Sequence, residues 1–195
     1  PWHVLHMTLY EVTLPAQKSV DGTAMQFTQL VTTMQQLLAG LRTIGAKKDA
    51  NYFVIEIAVA DKSDDTVFYV SVPNEYKSLF EKQTLSLFPS AVLIEQAHDY
   101  NISVDGGHTL VSEAKLKKHS LYPLNQHEDF SADPLAVILN AFSQIEREGG
   151  GAAVQFVIHK QAGDLRSKYG EIIKLVEKGE KPAEAISRST MSGML

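Results

Sequence analysis

Four apolar residues at every second position, Phe53, Ile55, Ile57 and Val59, constrain this chain more than any other feature. That period belongs to a strand with one buried face. The polar run Asp61-Lys62-Ser63-Asp64-Asp65 follows, and then Thr66–Val72, a second run rich in β-branched and aromatic residues. Two such runs across a short polar loop read as a β-hairpin. Pro73-Asn74 ends the second strand, and Asn74 is placed to cap a helix behind it. In that helix Tyr76, Leu79, Phe80 and Leu87 share one side at the 3.6-residue period. Pro89-Ser90 closes it, and Ala91–Gln96 returns to strand.

Upstream, Trp2–Leu14 reads as a strand with apolar groups on both faces, Leu5, Met7 and Leu9 against Val4, Tyr10 and Val12. Such a strand belongs inside a sheet. Asp21-Gly22 marks a turn, and Phe27, Leu30, Val31, Met34, Leu37, Leu38 and Leu41 form an amphipathic helix ending near Gly45. The order from Trp2 to about Val104 is therefore strand, helix, strand, strand, helix, strand. That is the order of an α+β, ferredoxin-like split β-α-β sandwich, with both helices on one face of an antiparallel sheet. Leu30, Met34 and Leu38 are expected to meet the Phe53–Ile55–Ile57 face. The strand at 2–14 is expected between the strands at 66–72 and 91–96.

Asp105-Gly106-Gly107 is the expected boundary between halves. Beyond it, Thr109–Leu121 reads as a strand, and Asp133-Pro134 as a helix start, with Leu135, Ile138, Leu139, Phe142 and Ile145 facing a core. Glu148 and three glycines end that helix, and Ala153–His159 is a strand. Leu165, Tyr169, Ile172, Ile173 and Val176 give one more helix, weakened at Gly170. The expected division is a ferredoxin-like half at 1–104, a second, incomplete β-α-β half with an extra helix at 105–182, and a tail at 183–195. Pro1-Trp2 at one end and the unpatterned Ser187–Leu195 at the other are what a piece of a longer polypeptide would show.

Composition narrows the function classes. The chain has 195 residues, 44% of them hydrophobic, enough for a packed core. There is no cysteine, so disulfides and thiolate metal sites are excluded. The net charge of -5 disfavours non-specific nucleic-acid binding, which needs clustered Lys and Arg. The local basic cluster is Lys115, Lys117, Lys118 and His119, read as a solvated strand face. No apolar run is long enough to span a bilayer.

Candidate chemistry is thin. Gly40–Lys48 approaches a phosphate loop, but Ala46 follows Gly45, no hydroxyl follows the lysines, and the stretch follows a helix. Gly149-Gly150-Gly151 also follows a helix, so it reads as a flexible end. His3, His6, His98, His108, His119, His127 and His159 have no common ligand spacing. Asp61, Asp64 and Asp65 lack the glycine and final glutamate of a calcium loop. Phe68 and Tyr69 point to opposite faces, unlike the shared aromatic platform of an RNA-binding sheet. No catalytic, cofactor-binding or metal-ligating residue is expected in this chain.

The pieces FVIEIAVAD, VFYVSVP, a helix ending FPSA, VLIEQAHDY, and then DPLAVILNAFSQIEREGGGAAVQFVIHKQ at Asp133–Gln161 carry a resemblance. Together they extend from about Trp2 to Gln161 and resemble the N-terminal, non-motor region of HerA/FtsK-like ATPases of type IV secretion and conjugation. The resemblance implies a non-catalytic assembly or docking domain. Its parent would be an oligomeric ATPase, with ATP and Mg confined to a motor outside this chain. It also implies a cytoplasmic location, held at the membrane face through the parent, and partners among sibling subunits and other secretion components. The competing class is a small-molecule-binding regulatory module of the same fold, which a polar pocket would favour.

Overall fold

A computed structural model describes residues 6–15, 27–41, 52–63, 65–97, 106–118, 121–122, 134–145, 150–159 and 165–191. Two compact units partition the chain. One takes Pro1–Thr109 and Leu135–Lys160, the other Leu110–Pro134 and Gln161–Leu195.

The first unit is α+β, built on a five-stranded antiparallel sheet. Its elements are β1 (Met7–Thr13), α1 (Phe27–Leu41), β2 (Tyr52–Val59), β3 (Thr66–Pro73), α2 (Lys77–Leu87), β4 (Val92–Gln96), α3 (Pro134–Phe142) and β5 (Ala152–His159). The strand order is β4-β1-β3-β2-β5. β2 and β3 pair as a hairpin from Val54↔Ser71 to Val59↔Thr66. At its tip Lys62 takes a left-handed φ of 62°, and the Ser63 amide donates to the Ala60 carbonyl at 3.2 Å. β1 lies inside the sheet, between β3 and β4, as its two apolar faces require. Residues 2–5 of the strand expected at 2–14 lie outside the described residues, as does the Asp21-Gly22 turn.

One face of the sheet carries the core. Alternation and register put Tyr10, Val12, Phe53, Ile55, Ile57, Val59, Val70 and Val72 on that face. Leu37 and Leu41 of α1 and Phe80 of α2 are buried with Tyr10, Phe53 and Val72, and Leu30, Met34 and Leu38 pack alongside. Tyr10 and Phe80 set their rings 5.1 Å apart and tilted. Further along the same face Ile57 and Val59 join Phe142 of α3, flanked by Leu135, Ile138 and Ile145. α1 and α2 approach closely at Gly40, where an added Cβ would fall 2.0 Å from Gln83 Oε1. This glycine opens the near-miss phosphate loop, and the atoms it meets are the flexible end of the Gln83 side chain; residues 42–48 of that stretch lie outside the described residues.

Three expectations are corrected here. Residues 109–118 form no strand: Leu110 and Val111 are 95% and 87% exposed. The edge of β2 is taken by β5, antiparallel from Tyr52↔His159 to Val59↔Ala152. The block at 105–182 is thus not a separate β-α-β half, since α3 and β5 complete the first unit's sheet and core. Asn74 does not cap α2. It opens a short 3-10 turn, Asn74–Tyr76, and its Oδ1 accepts a hydrogen bond from Thr8 Oγ1 at 2.8 Å.

The second unit contains α4 (Leu165–Glu177) and α5 (Pro182–Met191). The expected tail at 183–195 is a helix over most of its length; 192–195 lie outside the described residues. Leu121, Ile172, Ala185 and Ile186 form the small core, with Tyr122, Tyr169 and Leu175 around it. Ile173 and Val176, expected on the buried stripe, are exposed. α4 ends in a Schellman motif. Gly179, at φ 95°, donates to the Val176 carbonyl at 2.9 Å, and the Glu180 amide to that of Leu175 at 3.1 Å. Arg188 of α5 reaches back to Glu180 Oε1 at 2.6 Å.

Candidate docking surface

The outer strands of the described sheet are β4 and β5. Outer strands present backbone N–H and C=O groups with no partner inside the sheet, which suits pairing with another chain. Both also hold apolar side chains out to solvent. Val92 and Ile94 of β4 and Phe156 and Val157 of β5 are each roughly half exposed, Val157 at 58%.

Register places Val92, Ile94 and Val157 on the face opposite α1, α2 and α3, with Leu9, Glu11, Val54, Glu56, Ala58, Tyr69 and Ser71 between them. The centre of this face is buried at Val54, Glu56, Ala58 and Tyr69, and its margins at β4 and β5 are open. The buried Glu56, 6% exposed, is held on both oxygens. Oε2 accepts from Gln155 Nε2 at 3.0 Å and Oε1 from Ser71 Oγ at 3.4 Å. Nearer β4, Gln96 Nε2 donates to Glu11 Oε2 at 3.1 Å. A cleft of about 560 Å³ runs over this row, lined among others by Leu9, Val54, Glu56, Ser71, Gln96 and Gln155. Its polar groups are mostly acceptors and amides already joined to one another, an arrangement that fixes strand register.

A second polar group ties β1 and β4 to α2. Tyr10 OH donates to Glu81 Oε1 at 2.7 Å, and Lys77 forms an ion pair with Glu95. Burial, then the hydrogen bond to Glu81 and the charges of Glu81 and Glu95, push the Tyr10 phenol well above its ordinary value of 10.0.

The residues singled out from sequence are dispersed. His6, His108 and His159 are exposed at separate places; His3, His98, His119 and His127 lie outside the described residues. Asp61 and Asp65 sit at the hairpin tip, and Asp64 is outside the described residues. Among the described residues no three His, Asp or Glu come together as a metal would need. Gly150 and Gly151 lead into β5, while Gly149 is outside the described residues. Phe68 is exposed and Tyr69 buried on opposite faces. In the basic cluster Lys115 pairs with Glu113 at 3.1 Å, and Lys118 lies over the Tyr122 ring at 5.4 Å. Residues missed from sequence are Glu56, Gln155 and Ser71. Glu56 had a signal: it is a lone charge between Val54 and Ala58 on the second face of a strand apolar on both sides.

No family model, curated protein or solved structure matches this chain. Among the described residues no helix is long and apolar enough to cross a membrane.

Proposed function

We propose that this chain is a non-catalytic docking and assembly domain, of the kind that precedes the motor in HerA/FtsK-like ATPases of type IV secretion and conjugation. One observation carries the reading: both outer strands, β4 and β5, are flanked by exposed apolar side chains on the margins of a single sheet face. A strand added to an edge gains main-chain hydrogen bonds, and adjacent apolar groups supply the rest of the contact. The strand order β4-β1-β3-β2 supports a ferredoxin-like split β-α-β core, to which β5 adds a fifth strand. The sequence resemblance supplies the family, sibling subunits of an oligomeric ATPase as partners, and the cytoplasmic side of a membrane as the place.

Sedimentation of the full chain over a range of concentrations tests the docking role. Reversible self-association is expected, weakened when Ile94→Lys and Val157→Lys place charges on the two margins. A chain that stays monomeric at every concentration, or association indifferent to both substitutions, contradicts it. A phosphate loop encoded downstream of Leu195 in the same reading frame is the corresponding test of the family.

A further inference from the structure

The two outer strands of the described sheet are not equivalent. β4 has five residues and carries Glu95, which pairs with Lys77. β5 has eight, AAVQFVIH, with no Asp, Glu, Lys, Arg or Pro among them. Its register with β2 runs unbroken from Tyr52↔His159 to Val59↔Ala152, so no bulge turns it away from a neighbour. Native proteins blunt an open edge with charge, proline, a bulge or a very short strand. β5 has none of these, and Gln155, Phe156 and Val157 at its centre are all exposed.

Strand direction limits how two copies of this sheet can join. Every pairing along β4-β1-β3-β2-β5 is antiparallel, so β4 and β5 run in the same direction. Joining β5 of one copy head to tail with β4 of the next, helices on one side, makes a parallel pair, which is less stable per residue. A two-fold axis normal to the sheet instead sets β5 antiparallel to β5 and closes the assembly at two copies. Such an axis pairs residues that share a face, so it passes through a residue that meets its own copy. Centred on Phe156, it sets Phe156 against Phe156, Val154 against Ile158 and Gln155 against Val157. An aromatic pair then lies on the axis, and no like charges face each other.

We infer that the occupant of the β5 edge is a second copy of this chain, joined by an antiparallel β5–β5 pair about a two-fold axis at Phe156. This rests on the docking reading and deepens it by naming the edge, the partner and the symmetry. Eight residues a side falls well short of the roughly 20–30 of a standard interface, so the dimer is a reversible one.

The test uses the full chain in sedimentation and cross-linking. Phe156→Lys and Phe156→Glu each place like charges across the axis, and each is expected to weaken the dimer roughly ten-fold or more. Phe156 is 48% exposed, so neither change empties the core. Mixing the two variants is expected to restore association, because Lys then faces Glu only if position 156 meets its own copy. The chain has no cysteine, so a short bis-maleimide reads one introduced thiol at a time. Phe156→Cys is expected to give covalent dimer, and Ile94→Cys on β4 is not. Association that survives both charged variants, a mixture that stays monomeric, or cross-linking through Ile94→Cys in place of Phe156→Cys overturns the β5 dimer and leaves docking by another surface standing. A parent chain that is monomeric at every concentration overturns both.

Discussion

Tyr10 is the residue on which several layers of this protein meet. It is buried on β1, its ring packs on Phe80, and its hydroxyl donates to Glu81 of α2. Its folded-state pKa lies above the unfolded value of 10.0, so the neutral form is the one the fold favours. The stability this contributes is fully present below pH 10.0 and is lost as pH rises above it toward the folded value. Alkaline denaturation should therefore be less steep in Tyr10→Phe than in the parent, as followed by circular dichroism from neutral pH upward. An absorbance titration of the phenolates should show one tyrosine that ionises only as the fold opens. At this scale the sequence was partly legible. The apolar face of β2 declared itself by alternation, but Glu56 and Thr84 did not. Thr84 falls one helical turn after Phe80, on the stripe that also holds Tyr76, yet pattern reading selects apolar residues and passes over a polar one in line with them.

At the scale of elements, helix ends separate two kinds of glycine. Gly170 lies within α4 at an ordinary helical position, and a Cβ there meets nothing within 4 Å. Gly179 ends the same helix at φ 95°, where an L side chain is strained. Gly170→Ala should stabilise the second unit by about 1 kcal/mol through helix propensity alone. Gly179→Ala should destabilise it by about 1 kcal/mol or more, because the left-handed cap must be strained or rebuilt. Opposite shifts in the urea midpoint of the α4–α5 transition would verify the pair. The elements themselves were legible where period and length agreed, as in the β2–β3 hairpin, α1 and α3. Residues 109–118 misled because alternation marks a surface suited to a sheet and does not by itself supply a partner strand. α5 escaped notice for the opposite reason. Its stripe of Ala185, Ile186 and Ser189 is too weakly apolar to stand out, and burial against Tyr169, Ile172 and Leu175 gives it a place.

For the whole molecule, charge and dispersal of polar groups bear on activity. The chain should show no ATP turnover above a buffer blank, since the described start of the Gly40–Lys48 stretch, Gly40 and Leu41, is the end of a helix, whereas a phosphate loop joins a strand to a helix. It should also bind duplex DNA more weakly than about micromolar at physiological salt, given a net charge of -5 and a basic cluster partly engaged by Glu113 and Tyr122. Saturable hydrolysis that co-elutes with the folded chain, or tight DNA binding with a steep salt dependence, would contradict these two expectations. The division into units follows space more than sequence, because β5 crosses back to β2 after the irregular segment beyond Gly106. That return has a consequence for how the protein is made. On the ribosome β1 to β4 emerge well before β5, so the nascent sheet first exposes β2, with Ile57 and Val59, as a bare edge. Pairing of Tyr52 with His159 closes a very long loop, a slow step relative to hairpin closure. Until it is complete, the strand that becomes the interior of the finished sheet is the nascent chain's principal aggregation hazard.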